Sequence, residues 1–273
     1  MKVFDMHIHS HGVPANPAQL LERLDAAGVY GCTVISNEPL EFNPETGSDF
    51  ASRMAGVQDW VRGHGDRLVP ALWIHPDEEN IREKVRIAAE AGVEMFKVIC
   101  GNFSVGEQKC MDMLETIAEL KKPVLFHSGI LWDGMASSMY NRPANWEAML
   151  EIDGLRFALA HCSWPWIDEC IAVYGKFLSA NRMGRNVEMF IDISRGTPAI
   201  YRKELFYKLF RIGYKVEDNL MYGTDCYADD YQTEGAKQFI ATDQAIMDEL
   251  EVPKQVQQKV FWDNFMRFIG RPV

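Results

Sequence analysis

His7 and His9 stand two residues apart at the end of the strand-like run Val3-Phe4-Asp5-Met6-His7-Ile8. Residues i and i+2 of a strand face the same side, so both imidazoles are expected to project together. Other chemistry-bearing side chains directly follow short apolar runs in the same way. His127 follows Val124-Leu125-Phe126, His161 follows Phe157-Ala158-Leu159-Ala160, and Asp225 follows Met221-Tyr222-Gly223-Thr224. Neutral imidazole nitrogen and carboxylate oxygen are the donors preferred by Zn2+ and its neighbours. Such a set leaves room for a water, whose pKa a bound divalent ion lowers toward about 7. A lone histidine at a strand end is commonly only a polar cap, and a His-x-His pair can decorate a half-exposed strand. The same placement repeated on four strands points instead to a divalent metal site.

Those strands belong to a regular series. Runs rich in Val, Ile, Leu and Phe also occur at Cys32-Thr33-Val34-Ile35, Leu68-Val69-Pro70-Ala71-Leu72-Trp73-Ile74, Val93-Glu94-Met95-Phe96-Lys97-Val98-Ile99 and Val187-Glu188-Met189-Phe190-Ile191-Asp192-Ile193. Helical stripes separate several of them. Leu20, Leu21 and Leu24 stop at Ala27-Gly28; Ile81, Val85 and Ala88-Ala89 stop at Ala91-Gly92; Met113-Leu114, Ile117 and Leu120 stop at Pro123. Leu205, Leu209 and Ile212 end at Gly213, and a last helix opening on Pro253 spaces Val256, Val260, Phe261, Phe265 and Phe268 for burial. Alternating strands and helices imply a parallel sheet. Eight such units predict a single-domain α/β fold, a (β/α)8 TIM barrel, over an open doubly wound sheet. In a barrel the C-terminal strand ends converge, so His7, His9, His127, His161 and Asp225 would share one cavity.

Composition narrows the function class. Lys and Arg total 28 against 39 Asp and Glu, a net charge of −11, and no segment gathers the cations. That balance argues against nucleic acid and anionic membranes as partners and leaves a small-molecule substrate. No apolar run approaches the roughly 20 residues of a membrane span. The six cysteines form no CxxC pair, which together with the absence of a signal-peptide pattern predicts reduced thiols and a cytoplasmic protein.

With these residues in order, the chain resembles the amidohydrolase superfamily over essentially its whole length. The segments carrying the likeness are Asp5-Met6-His7-Ile8-His9, Phe126-His127-Ser128-Gly129, Ala160-His161-Cys162, Asp192-Ile193-Ser194 and Tyr222-Gly223-Thr224-Asp225. Gly65-Asp66-Arg67-Leu68-Val69-Pro70-Ala71 and Val260-Phe261-Trp262-Asp263-Asn264-Phe265 are similar to the amidohydrolase-related branch that includes aminocarboxymuconate semialdehyde decarboxylase and lactonases. The resemblance implies His7, His9, His127 and Asp225 as ligands of one divalent metal, Zn2+ or Mn2+, with His161 as an acid–base group. Binuclear members carry a carboxylated lysine where Lys97 stands; in that alternative His127 and His161 would hold a second ion. Two segments depart from the branch, Cys162-Ser163-Trp164-Pro165-Trp166 and Cys226-Tyr227-Ala228. Both lie at the expected mouth, so they bear on substrate rather than on metal.

The implied activity is hydrolysis of a lactone, ester or amide, with Asp225 shuttling the proton and His161 hydrogen-bonding the substrate oxygen. The alternatives are non-oxidative decarboxylation of an unsaturated or aromatic acid, and a non-catalytic barrel. An open coordination position argues against the last, because structural zinc sites are usually closed. Arg195 is a candidate anchor for a substrate carboxylate, since guanidinium grips carboxylate bidentately. His75 and His11 are candidates to face substrate, whereas His64 falls in a loop at the opposite end. Residues 129–146, with Trp132, Met135 and Met139, are too apolar to lie bare and suggest a lid or a homo-oligomer contact. The more polar residues 37–47 are expected to shape a pocket wall.

Overall fold

The computed structural model describes all 273 residues. Strands β1 (Phe4–Asp5), β2 (Ile8–His9), β3 (Gly31–Ile35), β4 (Leu68–Trp73), β5 (Met95–Val98), β6 (Pro123–Phe126), β7 (Arg156–Leu159), β8 (Glu188–Asp192), β9 (Leu220–Met221) and β10 (Cys226–Tyr227) carry the sheet. Around them lie helices α1 (Pro17–Ala27), α2 (Phe50–Val61), α3 (Ile81–Glu90), α4 (Gln108–Glu119), α5 (Ile167–Arg182), α6 (Arg202–Arg211), α7 (Thr233–Glu249), α8 (Lys254–Gln258) and α9 (Asn264–Ile269). The pairing is parallel in the order β10-β2-β3-β4-β5-β6-β7-β8-β9, with β1 also against β3. The first predicted strand is broken into β1 and β2, and the last is shortened to β9 and followed, past Asp225, by the separate β10. The Met6 N–H donates to the Tyr222 carbonyl at 3.1 Å, and the Asp225 N–H to that of His7 at 2.8 Å, which ties the last strand to the first. The strand order never reverses, as it would in a doubly wound sheet. The fold is TIM-barrel-like.

The period of two along each strand sorts the side chains. On β5, Phe96 and Val98 join the apolar layer beneath the helices, while Met95 and Ile99 belong to a separate inner cluster. Lys97, between Met95 and Ile99, therefore faces inward. Leu125 is likewise followed by His127 on the inner face, and Phe190 by Asp192 and Ser194. Phe265, Met266, Phe268 and Ile269 of α9 plug the other end of this interior, with Phe4 stacked on Phe265 at 4.7 Å. Burying each such phenylalanine contributes about 1.5–3 kcal/mol. The plug and outer shell supply this apolar burial, which leaves the C-terminal end available for polar groups.

Local signals account for the helix limits. Asn16 accepts from the Gln19 N–H, Pro17 opens α1, and Gly28 ends it in the left-handed region at φ 73°. Two expectations need correction. Ile212 caps α6 and is exposed instead of completing its apolar stripe, and Pro253 precedes α8 instead of occupying its first turn. The last helix also passes through a π-helical turn at Lys259–Asp263. All six cysteines are free and buried, and no helix is long and apolar enough to cross a membrane. A buried pair, Arg202 Nη2 to Asp243 Oδ2 at 2.5 Å, locks α6 to α7; Arg202 Nη1 also donates to the Ile193 carbonyl at 2.6 Å. Residues 129–146 are anchored through Asn141, whose side chain donates to the Cys100 carbonyl at 2.8 Å. Their outer portion leaves Trp132 82% exposed.

Candidate metal centre

The break between β1 and β2 turns His7 and His9 toward the same space. Asp225 reaches it because its own N–H is bound to the His7 carbonyl. His7 Nε2 lies 3.1 Å from His9 Nε2 and 3.3 Å from Asp225 Oδ1, and His9 Nε2 lies 3.6 Å from that oxygen. His7, His9 and Asp225 thus bring their donor atoms together as one possible ligand group, and His7, His161 and Asp192 form a second, more deeply buried one. Glycine is required at two neighbouring positions. A Cβ on Gly223 would sit 2.8 Å from the His7 Cβ, and one on Gly196 would sit 2.3 Å from the His161 ring.

Asp192 orders the imidazoles. Its Oδ2 accepts from His7 Nδ1 at 2.7 Å and from the Ser194 hydroxyl at 2.8 Å, while Oδ1 accepts from the Ser194 N–H. A carboxylate only accepts, so the single Ser194 proton points to it. Ser194 Oγ must then accept from His161 Nδ1, 2.8 Å away. Both His7 and His161 thus carry their proton on Nδ1 and present a bare Nε2; the tautomers are assigned from this network. His161 Nε2 faces Asp225 Oδ2 at 3.9 Å. In this tautomer the nitrogen facing the site accepts, so the expected hydrogen bond from His161 to a substrate oxygen first requires a proton on Nε2.

Burial dominates the electrostatics. It holds His7, His9 and His161 well below the ordinary histidine pKa, and His127 down to about 3, with Lys97 reinforcing the trend. Burial likewise lifts Asp225 to about 7 and lowers Lys97 to about 8; the two oppose these shifts in each other. Neutral imidazoles are the form that binds metal. The bare His7 Nε2 faces His9 Nε2 at 3.1 Å and the Lys97 ammonium at 3.3 Å, an acceptor position that a proton or a metal cation can fill. The donor set fits a divalent cation.

The remaining candidates are distributed as follows. Lys97 lies at the floor, Nζ 3.3 Å from His7 Nε2. His127 lines the same cavity with its ring 5.2 Å from that of His161, but its Nε2 donates to the Ile130 carbonyl at 3.3 Å and stands outside the converging trio. Arg195 is not brought to the cavity: its exposed guanidinium lies 5.6 Å from the Phe239 ring, on the α7 side. His75 is buried elsewhere, accepting from the Asp77 N–H and edge-on to Phe103. His11 stands at the rim, stacked on Tyr227. The cavity holds about 600 Å3, and Glu38, Phe42 and Asn43 from the polar loop line it, as do Ile130, Leu131 and Trp132 from residues 129–146. Asp192 and Ser194 received no role from the sequence. The signal that would have found them is the inward alternation from Phe190.

The amidohydrolase family model matches residues 4–271. The chain belongs to the amidohydrolase family. A search of curated proteins found no sequence match for this amidohydrolase. Solved structures share its fold at low identity. A probable 2-pyrone-4,6-dicarboxylic acid hydrolase from Acinetobacter baumannii, with citric acid bound, is 13% identical at a TM-score of 0.63, covering 99% of this chain and 100% of its own. The 5-carboxyvanillate decarboxylase of Novosphingobium aromaticivorans, complexed with manganese and a nitrobenzoic acid, is 14% identical at 0.64, covering 98% and 95%. The 2,6-dihydroxybenzoate decarboxylase from Rhizobium is 12% identical at 0.66, covering 99% of both. Hydrolases and decarboxylases are thus both among the structural neighbours of this amidohydrolase.

Proposed function

We propose that this amidohydrolase is a single-domain, closed (β/α)8 metal-dependent hydrolase of a small-molecule lactone, ester or amide. The observation that carries this reading is the convergence of His7, His9 and Asp225 beneath an open cavity, with the bare Nε2 of His161 beside them. His7, His9 and Asp225 would hold one divalent ion, Zn2+ or Mn2+, with His127, from the same cavity lining, as the fourth ligand. Such an ion supplies Lewis-acid polarisation of a carbonyl and a lowered pKa for water. Asp225 takes the proton from the attacking water and returns it to the leaving group. His161 Nε2, facing Asp225, can relay that same proton, hydrogen-bonding the substrate oxygen while it holds it and giving it up to the leaving group. Asp192 and Ser194 hold both imidazoles in the tautomers this requires.

Decarboxylation of an unsaturated or aromatic acid is the second reading. It is favoured by the aromatic cavity wall, in which Trp73 stands 4.8 Å from Phe42 and 5.9 Å from His9. The same groups would then deliver a proton to carbon as CO2 leaves. In a binuclear version, carboxylated Lys97 would bridge a second ion held by His127 and His161. Assaying the Zn2+- and Mn2+-loaded protein on lactones, esters and amides, and on aromatic acids with CO2 detection, tests the assignment. Turnover of neither class by fully metallated protein would sink both readings.

A further inference from the structure

The cavity walls differ sharply from its floor. Above the imidazoles stand Phe42, Trp73, Leu131, Trp132, Trp164 and Tyr227. Tyr227 is fixed as a wall by His11, whose ring stacks on it at 3.5 Å and 13°, while His11 Nδ1 is held by Asp229 at 3.0 Å. Trp73 on the other flank packs against Phe42. Walls of this kind bury the faces of a flat ring, which aromatic side chains do efficiently.

Charge is arranged just as unevenly. Lys97 is the only lysine or arginine lining the cavity, and it lies at the floor against His7. Away from the floor, the charged lining residues are Glu38 and Asp133. Arg195, the anchor expected for a substrate carboxylate, faces the Phe239 ring instead. A carboxylate at the remote end of a bound molecule would therefore meet two like charges and no cation, in a chain whose net charge is −11.

We infer that the cavity selects substrates built on a flat ring whose end remote from the reacting group is uncharged or cationic, and rejects those with a second carboxylate there. The inference rests on the proposal that this cavity is the substrate site, and it narrows the substrate class within either reaction.

4-Methylbenzoate, 4-(aminomethyl)benzoate and terephthalate carry a neutral, a cationic and an anionic para substituent beside the unsubstituted benzoate, and calorimetric titration ranks them. The full chain is first titrated with Mn2+, then with each probe in the loaded and the metal-free state. Terephthalate should bind at least about tenfold more weakly than 4-methylbenzoate, while 4-(aminomethyl)benzoate binds at least as tightly as 4-methylbenzoate, because like-charge juxtaposition is costly and opposite charge is not. In the double variant Glu38→Gln, Asp133→Asn the terephthalate gap should narrow. Terephthalate as tight as 4-methylbenzoate overturns the inference, as does a gap unchanged in the double variant, or a folded chain that binds no probe in either state. Failure to bind Mn2+ would count against the metal-dependent function, while the ranking on metal-free protein would still decide the cavity's preference.

Discussion

His161 Nδ1 donates to Ser194 Oγ at 2.8 Å, and this contact leaves the opposite ring nitrogen bare toward the site. Ser194 can accept because its own proton is committed to Asp192. Replacing Ser194 by alanine removes that constraint and lets His161 exchange tautomers. Turnover should fall roughly 10- to 100-fold, the usual range for outer-shell partners. KM and metal content should stay near wild type. Unchanged kcat would show that the tautomer is set elsewhere.

The double variant His7→Ala, His9→Ala should lose its metal while keeping its fold, because both rings lie beyond the inner apolar cluster. Elemental analysis with circular dichroism checks this. Full metal content in a folded double variant would refute the ligand assignment.

His161→Asn separates one ion from two. With one ion the variant keeps its metal and loses turnover; with two, bound metal drops by about one equivalent, since each catalytic zinc characteristically relies on three protein ligands. The wild type must be measured in bicarbonate-containing buffer, so that Lys97 can be carboxylated.

Asp225→Asn retains an oxygen near His7 Nε2 but removes the base. Turnover should fall by roughly 10²- to 10⁴-fold, the span attributed to general acid–base catalysis. Substrate affinity should change little. Near-normal turnover in metallated protein would move the base to His161.

Arg202→Met leaves Asp243 buried without its partner. Losing one member of a buried pair costs about 3–5 kcal/mol. Burial already pushes Asp243 up to about 6, with the guanidinium pulling it down, so the variant's carboxyl titrates higher still. A folded-state pKa above the unfolded one favours folding at low pH and loses that contribution as pH rises. The gap in Tm between wild type and variant should therefore be wide at pH 8 and narrower near pH 5.5. A gap independent of pH would show that Asp243 is not the stranded charge.

Much of this was legible in the chain. Eight apolar runs at near-regular intervals, with glycine and proline stops, specify alternating strands and helices through local periodicity alone. The same period of two places His7 beside His9 and turns Lys97 inward, and parallel strands bring His127, His161 and Asp225 to the same end. Chain distance hides the rest. Ser194 acts on His161 across 33 residues, and Asp192 on His7 across 185. Which nitrogen carries a proton depends on those partners and not on neighbours in sequence. Arg195 follows Ser194 directly, yet one step along the chain swings it to the other face and against Phe239, away from the cavity. His127 sits at the predicted strand end, where the Ile130 carbonyl accepts from its Nε2 and so fixes which way the ring faces. Residue types and spacing determined which groups meet at one end of the sheet; the orientation of each ring and the charge of the walls came only from tertiary packing, because hydrogen bonds and burial act between groups that the sequence keeps far apart.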